Sequence, residues 1–487
     1  MLILSILFPV LLGLGVLLKG EFKNRKTLLV ITGTGLAVTT ALAMGVVFGE
    51  ETELLLCSFG KNLDLTFHAD NLGKLFAVVV NVIWTISGFY AFEYMKHEQE
   101  ENRFFGFYLM VHGILNGLVF AGGMVTYYLF YELMTLLSVP LILHNRSKEA
   151  IKGGLKYLFY SLFGAYMVLF GLFFLNRFAD SLSFLPGGTL NMAAVAGHEK
   201  LMLVVAFSMI IGFSVKAGMF PLHAWLPTAH PVAPAPASAV MSGIIVKAGV
   251  LGMIRVAYYL IGADFIRGTW VQTVWMSLAL LTVFMGSMLA YREKVMKKRL
   301  AYSTVSQASY ILFGLSLLQP QAMTGALLHV VFHAVIKSCL FLTAGTIIYK
   351  THKTNVDELR GIGKEMPVSI WCYTFASAAL IGIPPASGFV SKWYLATGAL
   401  DSGIEVFSWL GPVVLLTSAL LTAGYLLPIT VNAFLPGADY DYEALEKKEP
   451  NLTMLLPLLI LAALAVVLGL LPNPLTNYIA GIVSGVL

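Results

Sequence analysis

Charged side chains are scarce in this chain: Asp, Glu, Lys and Arg make up 12% of its 487 residues. A soluble globular chain carries about 25%, so that class is excluded. Cysteine is scarcer still. Cys57, Cys339 and Cys372 stand far apart, with no C-x-x-C and no four-cysteine set, which argues against bound zinc or an iron–sulfur centre. No P-loop is present. Gly33-Thr34-Gly35 is a weak echo of a dinucleotide fingerprint, set inside an apolar stretch with no strand before it. Neither a cofactor nor a metal is therefore expected. The net charge of +5 is small and no long basic tract occurs, so nucleic acid is not an expected partner. No basic residue precedes the first apolar run, and residues 2–18 read as a membrane span, not a cleaved leader.

What the chain has is hydrophobicity, at 58% of residues. A spanning helix needs about 20 mostly apolar residues. About fourteen stretches qualify, from 2–18 to 453–472, so the expected fold is an all-α polytopic membrane protein. The seventh stretch, 201–225, leads into a segment from Lys216 to Pro227 that carries Pro221 and Pro227; the twelfth, 367–399, carries Gly382, Pro384, Pro385 and Gly388 mid-run. Proline removes a backbone donor and clashes with the preceding turn, so spans 7 and 12 should be broken helices. Breaks at membrane depth survive only where protein or water satisfies the freed backbone. Two broken spans five apart suggest two inverted five-helix repeats, spans 4–8 and 9–13. The expected organisation is an N-terminal three-helix segment (1–100), a first repeat (104–260), a second repeat (270–434), and an acidic loop with a last helix and tail (435–487).

Loop charges orient the chain. Lys19, Lys23, Arg25 and Lys26, then Arg146, Lys148 and Lys152, then Arg292 to Arg299, then Lys350 to Lys364 fall after odd-numbered spans. Loops after even-numbered spans carry Glu50, Glu51, Glu53, Asp64 and Asp70, or little charge. Positive loops belong in the cytoplasm, so a multi-pass inner (plasma) membrane protein with both termini outside is expected. The loop after span 13 departs from this, with Asp439, Asp441, Glu443, Glu446 and Glu449 against Lys447 and Lys448.

Ionisable residues inside spans are costly, about 2.5–3.5 kcal/mol each on insertion scales, and mark ion pathways. Glu132 sits mid-way through the fifth span; Lys216 and Lys247 bracket a proline-rich segment. His329, His333 and Lys337, at i, i+4 and i+8, share one helical face. Lys392 follows the second break. Desolvation disfavours a charged lysine and a nearby carboxylate restores it, while histidine titrates near neutrality. Together these residues are the inventory of a proton relay. Each has an ordinary alternative: a static Glu132–Lys216 ion pair, a satisfied core histidine at 329 or 333, a snorkelling Lys337, or a Lys392 that caps its broken helix. His112 and His144 read as structural or interfacial, and Lys74 as a snorkelling lysine. A set of this cost is not a run of accidents.

At these residues the chain resembles the antiporter-like subunits shared by respiratory complex I, Mrp-type sodium/proton antiporters and membrane-bound hydrogenases. The resemblance runs through Phe130-Tyr131-Glu132-Leu133-Met134, Lys216-Ala217, Pro221-Leu222-His223-Ala224-Trp225-Leu226-Pro227 and Ala229-His230. It continues in Val246-Lys247-Ala248-Gly249, Arg255, Ala301-Tyr302-Ser303-Thr304, His329 to Lys337 and Gly382 to Lys392. It implies fourteen helices, proton transfer along a hydrated axis, and relay roles for Glu132, Lys216, Lys247, His329, His333, Lys337 and Lys392. Relatives often carry an acid before the lysines that precede the Ala-Tyr-Ser-Thr motif; here Met296 stands before Lys297-Lys298. The expected partners are other integral membrane subunits. Protons are the expected cargo and sodium a second candidate. No residue here could oxidise or reduce a substrate, so energy would arrive from neighbours in an antiporter or an NADH-, ferredoxin- or hydrogenase-linked complex. The rival readings are a stand-alone cation or solute transporter and a structural membrane anchor.

Overall fold

The computed structural model describes residues 1–437, 440–441 and 446–487; Asp439 and Glu443 of the acidic loop lie outside the described residues. Helices α1 (Leu2–Lys19) and α2 (Arg25–Val47) lead into a β-hairpin, β1 (Glu53–Ser58) and β2 (Asp64–His68). This hairpin corrects the all-helical expectation. Its strands pair antiparallel with a bulge between Leu55 and Cys57. Sequence does not reveal it, because six residues of Leu-rich strand between two long apolar runs read as loop.

There follow α3 (Asn71–Tyr94), α4 (Glu101–Val119), α5 (Met124–Ile142), α6 (Lys148–Phe178) and α7 (Glu199–Ala217). A short α8 (Leu226–Val232) leads to α9 (Ala235–Leu260). Then come α10 (Trp270–Arg292), α11 (Met296–Ser316), α12 (Pro320–Thr351), α13 (Pro367–Ile381) and α14 (Ser387–Leu400). The last are α15 (Glu405–Phe434), α16 (Leu452–Leu470) and α17 (Asn473–Val486). Side chains of Asn24, Asp70, Ser147, Gln319 and Asn451 accept backbone N–H groups at the starts of α2, α3, α6, α12 and α16, which satisfies donors that a helix start leaves free.

Among the described residues, eleven helices are long and apolar enough to cross a membrane. Helices α4 and α11 match them in length, at 19 and 21 residues, but hold more polar side chains. The molecule is built around two helices. The most apolar window of α9 is wholly buried and that of α12 is 94% buried, against 33% for α1, α2, α15 and α16. A helix apolar all round belongs inside, so α9 and α12 lie at the centre beside the equally buried α11, while α1, α2, α15 and α16 face outward. Helix α9 is π-wound at Met241–Ile245 and at Arg255–Leu260.

Both breaks exist, but glycine makes them. Helix α7 stops at Gly218 (φ 81°) and α13 at Gly382 (φ 93°), each a left-handed cap that costs glycine no Cβ clash. The prolines lie beyond. Pro221, Pro384 and Pro385 occupy the turns, and Pro227 sits in the first turn of α8, where a missing N–H costs nothing.

Candidate functional site

The two breaks free carbonyls at the ends of α7 and α13, and different side chains satisfy them. At the first, the Trp225 indole N–H donates to the Val215 carbonyl at 2.8 Å. At the second, the Lys392 ammonium donates to the Leu380 and Ile381 carbonyls at 2.6 and 2.9 Å. Lys392 therefore caps its broken helix, and it also lies 5.1 Å from the centroid of the Tyr310 ring.

Because Trp225 serves the first break, Lys216 is free to do something else. Its ammonium is fully buried and donates to Thr135 Oγ1 at 2.6 Å and Tyr157 Oη at 3.3 Å, between the Tyr131 and Tyr157 rings. Among the described residues, no carboxylate lies within ion-pair distance of it. The static Glu132–Lys216 ion pair, the ordinary alternative for these two residues, is thus not formed. Thr135 and Glu132 are three apart on α5, so both lie within reach of a long lysine stem, and the hydroxyls hold it. Glu132 is partly buried, with Oε1 unpartnered.

At the centre, Lys247 and His333 meet. The Lys247 ammonium, 2% exposed, donates to the Ser242 carbonyl at 2.6 Å and shares a hydrogen bond with His333 Nδ1. Ser242 lies in the π-turn, whose wider winding leaves this carbonyl to a side chain, as π-bulges at functional sites do. From His333 the axis runs to His329, ring centroids 5.8 Å apart. His329 Nδ1 pairs with Ser391 Oγ at 2.9 Å, one residue before Lys392, and its ring stacks on Tyr310 at 5.6 Å. Tyr310 thus lies between His329 and Lys392. One turn beyond His333 on the other side, the fully buried Lys337 donates to the Leu300 carbonyl at 2.9 Å and to Ser303 Oγ. It does not reach an interface. The Nε2 atoms of His329 and His333 are buried without a partner.

Residue by residue, the structure joins Lys247 and His333 across α9 and α12, while His329 and Lys337, on the same α12 face, take partners from α14 and α11, with Lys392 one aromatic ring from His329. Lys216 and Glu132 stand apart on the α5–α7 side. Sequence reasoning missed the hydroxyls and aromatics that hold these groups: Thr135, Tyr157, Tyr310, Ser391 and, from the Ala-Tyr-Ser-Thr run, Ser303. Their only signal is polarity inside apolar spans. It also missed the buried ion pair in which Arg255, 1% exposed, holds Asp70 through two bonds at 2.5 and 2.7 Å. Lys74 does not snorkel freely either. It is buried and donates to the Gly49 carbonyl at 3.0 Å. His112 is structural: its Nε2 pairs with Asn81 Oδ1 at 2.8 Å. Among the described residues, no three His, Cys, Asp or Glu side chains cluster to hold a metal ion.

Residues 121–422 match the family model described as NADH:quinone oxidoreductase/Mrp antiporter, TM, and residues 57–105 match that of the NADH-ubiquinone oxidoreductase (complex I) chain 5 N-terminus. The chain is 30% identical to NADH-quinone oxidoreductase subunit N of Desulforudis audaxviator, covering 88% of this chain and 87% of that one. It is 28% identical to an Na(+)/H(+) antiporter subunit of Alkalihalophilus pseudofirmus over 98% of its own length and 95% of the relative's. In fold it is similar to a chain of the Mrp complex from Dietzia sp. DQ12-45-1b, with a TM-score of 0.84 at 21% identity, covering 100% of this chain and 97% of that one. An α9–α12 axis of buried lysines and histidines, carried by a sequence that matches along most of its length, leads to one conclusion: the chain belongs to the antiporter-like membrane subunit family common to NADH:quinone oxidoreductases and Mrp antiporters.

Proposed function

We infer that this chain is a proton-translocating subunit of a larger membrane complex. It moves protons from Glu132 and Lys216 through Lys247, Lys337 and His333 to His329, and out at Lys392. The observation that carries this reading is the Lys247–His333 hydrogen bond, which joins a titratable amine to a titratable ring inside the buried centre. A lysine and a histidine that share a proton position are a relay unit; an anchor has no use for them at this desolvation cost. Subunit status is supported by the relatives, which are named as components of quinone oxidoreductases and antiporters. Protons are the cargo by chemistry, with sodium the second candidate.

The finer architecture belongs to the same proposal. Fourteen spans are reached when α4, α11 and the α13–α14 pair join the eleven long apolar helices. Helices α4 to α9 and α10 to α15 would then be inverted repeats. Each has its interrupted helix in fourth place, ended by a left-handed glycine with a lysine beside the break. Loop charge supports a topology with both termini outside, and relatives that are subunits of membrane complexes support a plasma-membrane site.

The test is Lys247→Ala in the complex purified from its native membrane and sealed into vesicles with a trapped pH-sensitive dye. Proton movement should fall by on the order of 100-fold, the share that positioned acid–base groups supply, while the complex stays assembled. Proton movement at the wild-type rate would overturn the relay reading and favour an anchor. A chain that purifies alone and still transports would overturn the subunit reading.

A further inference from the structure

One buried histidine has no part in the relay described above. His230, on α8, is fully buried and neither ring nitrogen has a hydrogen-bond partner. A buried polar ring left unpaired keeps its full desolvation cost, which a purely structural ring would not need to incur. Its ring stacks on Phe341 with centroids 4.6 Å apart. The Lys337 ammonium lies 5.9 Å from the centroid of the same Phe341 ring, so His230 and Lys337 both lie against one side chain.

Near His230 stands a lysine that the relay does not use. Lys297, 6% exposed, donates to the Ala233 carbonyl at 2.9 Å, three residues along from His230. The charges of Lys297 and Lys337 both act on the His230 ring. The carboxylate facing Lys297 comes from another element, Glu98 in the connection between α3 and α4. Glu98 is half-buried and lines a cavity of about 370 Å³ with His97, His144 and Arg146. Burial pushes the Glu98 carboxyl up from its ordinary value, with Lys297 and His97 pulling it back, which suits a group that takes up and gives up protons.

We propose that Glu98, Lys297 and His230 form a second proton inlet, which delivers protons from the Glu98 end of the bundle to Lys337 without passing Lys216. The Glu98 carboxyl gives a proton to the neutral Lys297 amine. The ammonium so formed gives one to a His230 ring nitrogen, and the opposite nitrogen gives one to the neutral Lys337 amine. One proton moves per step and no electrons do. The inlet rests on the proton-relay reading and joins the relay at Lys337, one turn from His333, so protons from either inlet pass the Lys247–His333 pair.

The test uses the whole complex in sealed vesicles, with an imposed pH gradient and a trapped pH-sensitive dye. Arginine at position 297 keeps the charge and can still bond the Ala233 carbonyl, but it does not deprotonate. Lys297→Arg and Glu98→Gln should each slow proton movement at least about tenfold, and Glu98→Asp should restore most of it. A structural role for Lys297 predicts the reverse, an active Lys297→Arg. Glu98→Gln lies near the surface, so it decides the matter even where Lys297→Arg fails to assemble. Wild-type rates for Glu98→Gln, with Lys247→Ala slow, overturn the inlet and leave the relay standing. Wild-type rates for Lys247→Ala overturn the relay, and the inlet with it.

Discussion

Lys247 and His333 share a hydrogen bond across 86 residues of sequence, and it ties the two most deeply buried helices, α9 and α12, at their titratable groups. Neither partner has an acid beside it in that contact. The amine is held by the Ser242 carbonyl and the ring, both neutral acceptors. Such a pair offers the proton two adjacent sites joined by one hydrogen bond, which is what transfer requires.

If the pair works as one unit, its variants will not add. Lys247→Met and His333→Leu should each reduce proton movement by on the order of 100-fold. The double variant should be about as slow as the slower single one, as with residues acting together in catalysis. Proton flux into sealed vesicles, measured for all three, checks this. Effects that multiply would separate the two residues into independent roles.

Trp225 keeps the first break closed. Its indole N–H satisfies Val215, whose carbonyl otherwise takes only a long 3.2 Å bond from the Gly218 N–H. Trp225→Phe keeps the ring that packs on Tyr157 at 4.9 Å but loses the donor. The cost should be about 1 kcal/mol, read as a lower thermal midpoint of the solubilised complex. Proton movement should slow as well, because the freed carbonyl competes with Thr135 for the Lys216 ammonium.

Gly388 is where α13 and α14 touch. A Cβ there would sit 1.9 Å from the Ala379 carbonyl oxygen, a distance no packing tolerates. Gly388→Ala should force the two half-helices apart, weaken the Lys392 bonds to Leu380 and Ile381, and cost about 1–3 kcal/mol or more. Reduced assembly of the complex and a lower midpoint are the expected results. Gly481→Ala, which meets nothing within 4 Å, is the matched control.

The Asp70–Arg255 pair predicts acid sensitivity. Burial pushes the Asp70 carboxyl up, but the Arg255 guanidinium and the bond from the Gly73 N–H outweigh it and leave the group below its ordinary value. A depressed carboxyl contributes stability above its unfolded value near about 4 and loses it as pH falls through the folded one. The midpoint should therefore be insensitive to this pair from neutral pH down to about 5 and drop below about 4. Asp70→Asn strands the buried guanidinium and should cost about 3–5 kcal/mol at pH 7, with a shallower fall in acid. Scanning calorimetry of both proteins across pH distinguishes these outcomes.

Much of the site can be read from the chain because charge is so rare in it. With 12% charged residues, an in-span lysine or glutamate stands out, and the helical period places His329, His333 and Lys337 on one face without any structure. The breaks are legible too, signalled by proline although glycine ends each helix. Partner choice is not. Glu132 is the acceptor that the chain suggests for Lys216, yet Thr135 one turn along and Tyr157 from α6 hold it. A long flexible ammonium stem reaches several acceptors, and nothing local decides among them. The β-hairpin and the Asp70–Arg255 pair, 185 residues apart, are beyond any local rule.

Sequence alone determined that this protein lies in a membrane, where its helices run, which of them are interrupted, and which side chains are expensive enough to matter. Those are local properties, set by hydrophobicity, helical period and backbone stereochemistry. Tertiary structure decided which acceptor each ammonium takes: Thr135 and Tyr157 for Lys216, Ser242 and His333 for Lys247, Ser303 and Leu300 for Lys337, and the α13 carbonyls for Lys392. In a desolvated interior each charge must find acceptors among whatever groups the fold brings near, and those come from helices that are distant in the chain.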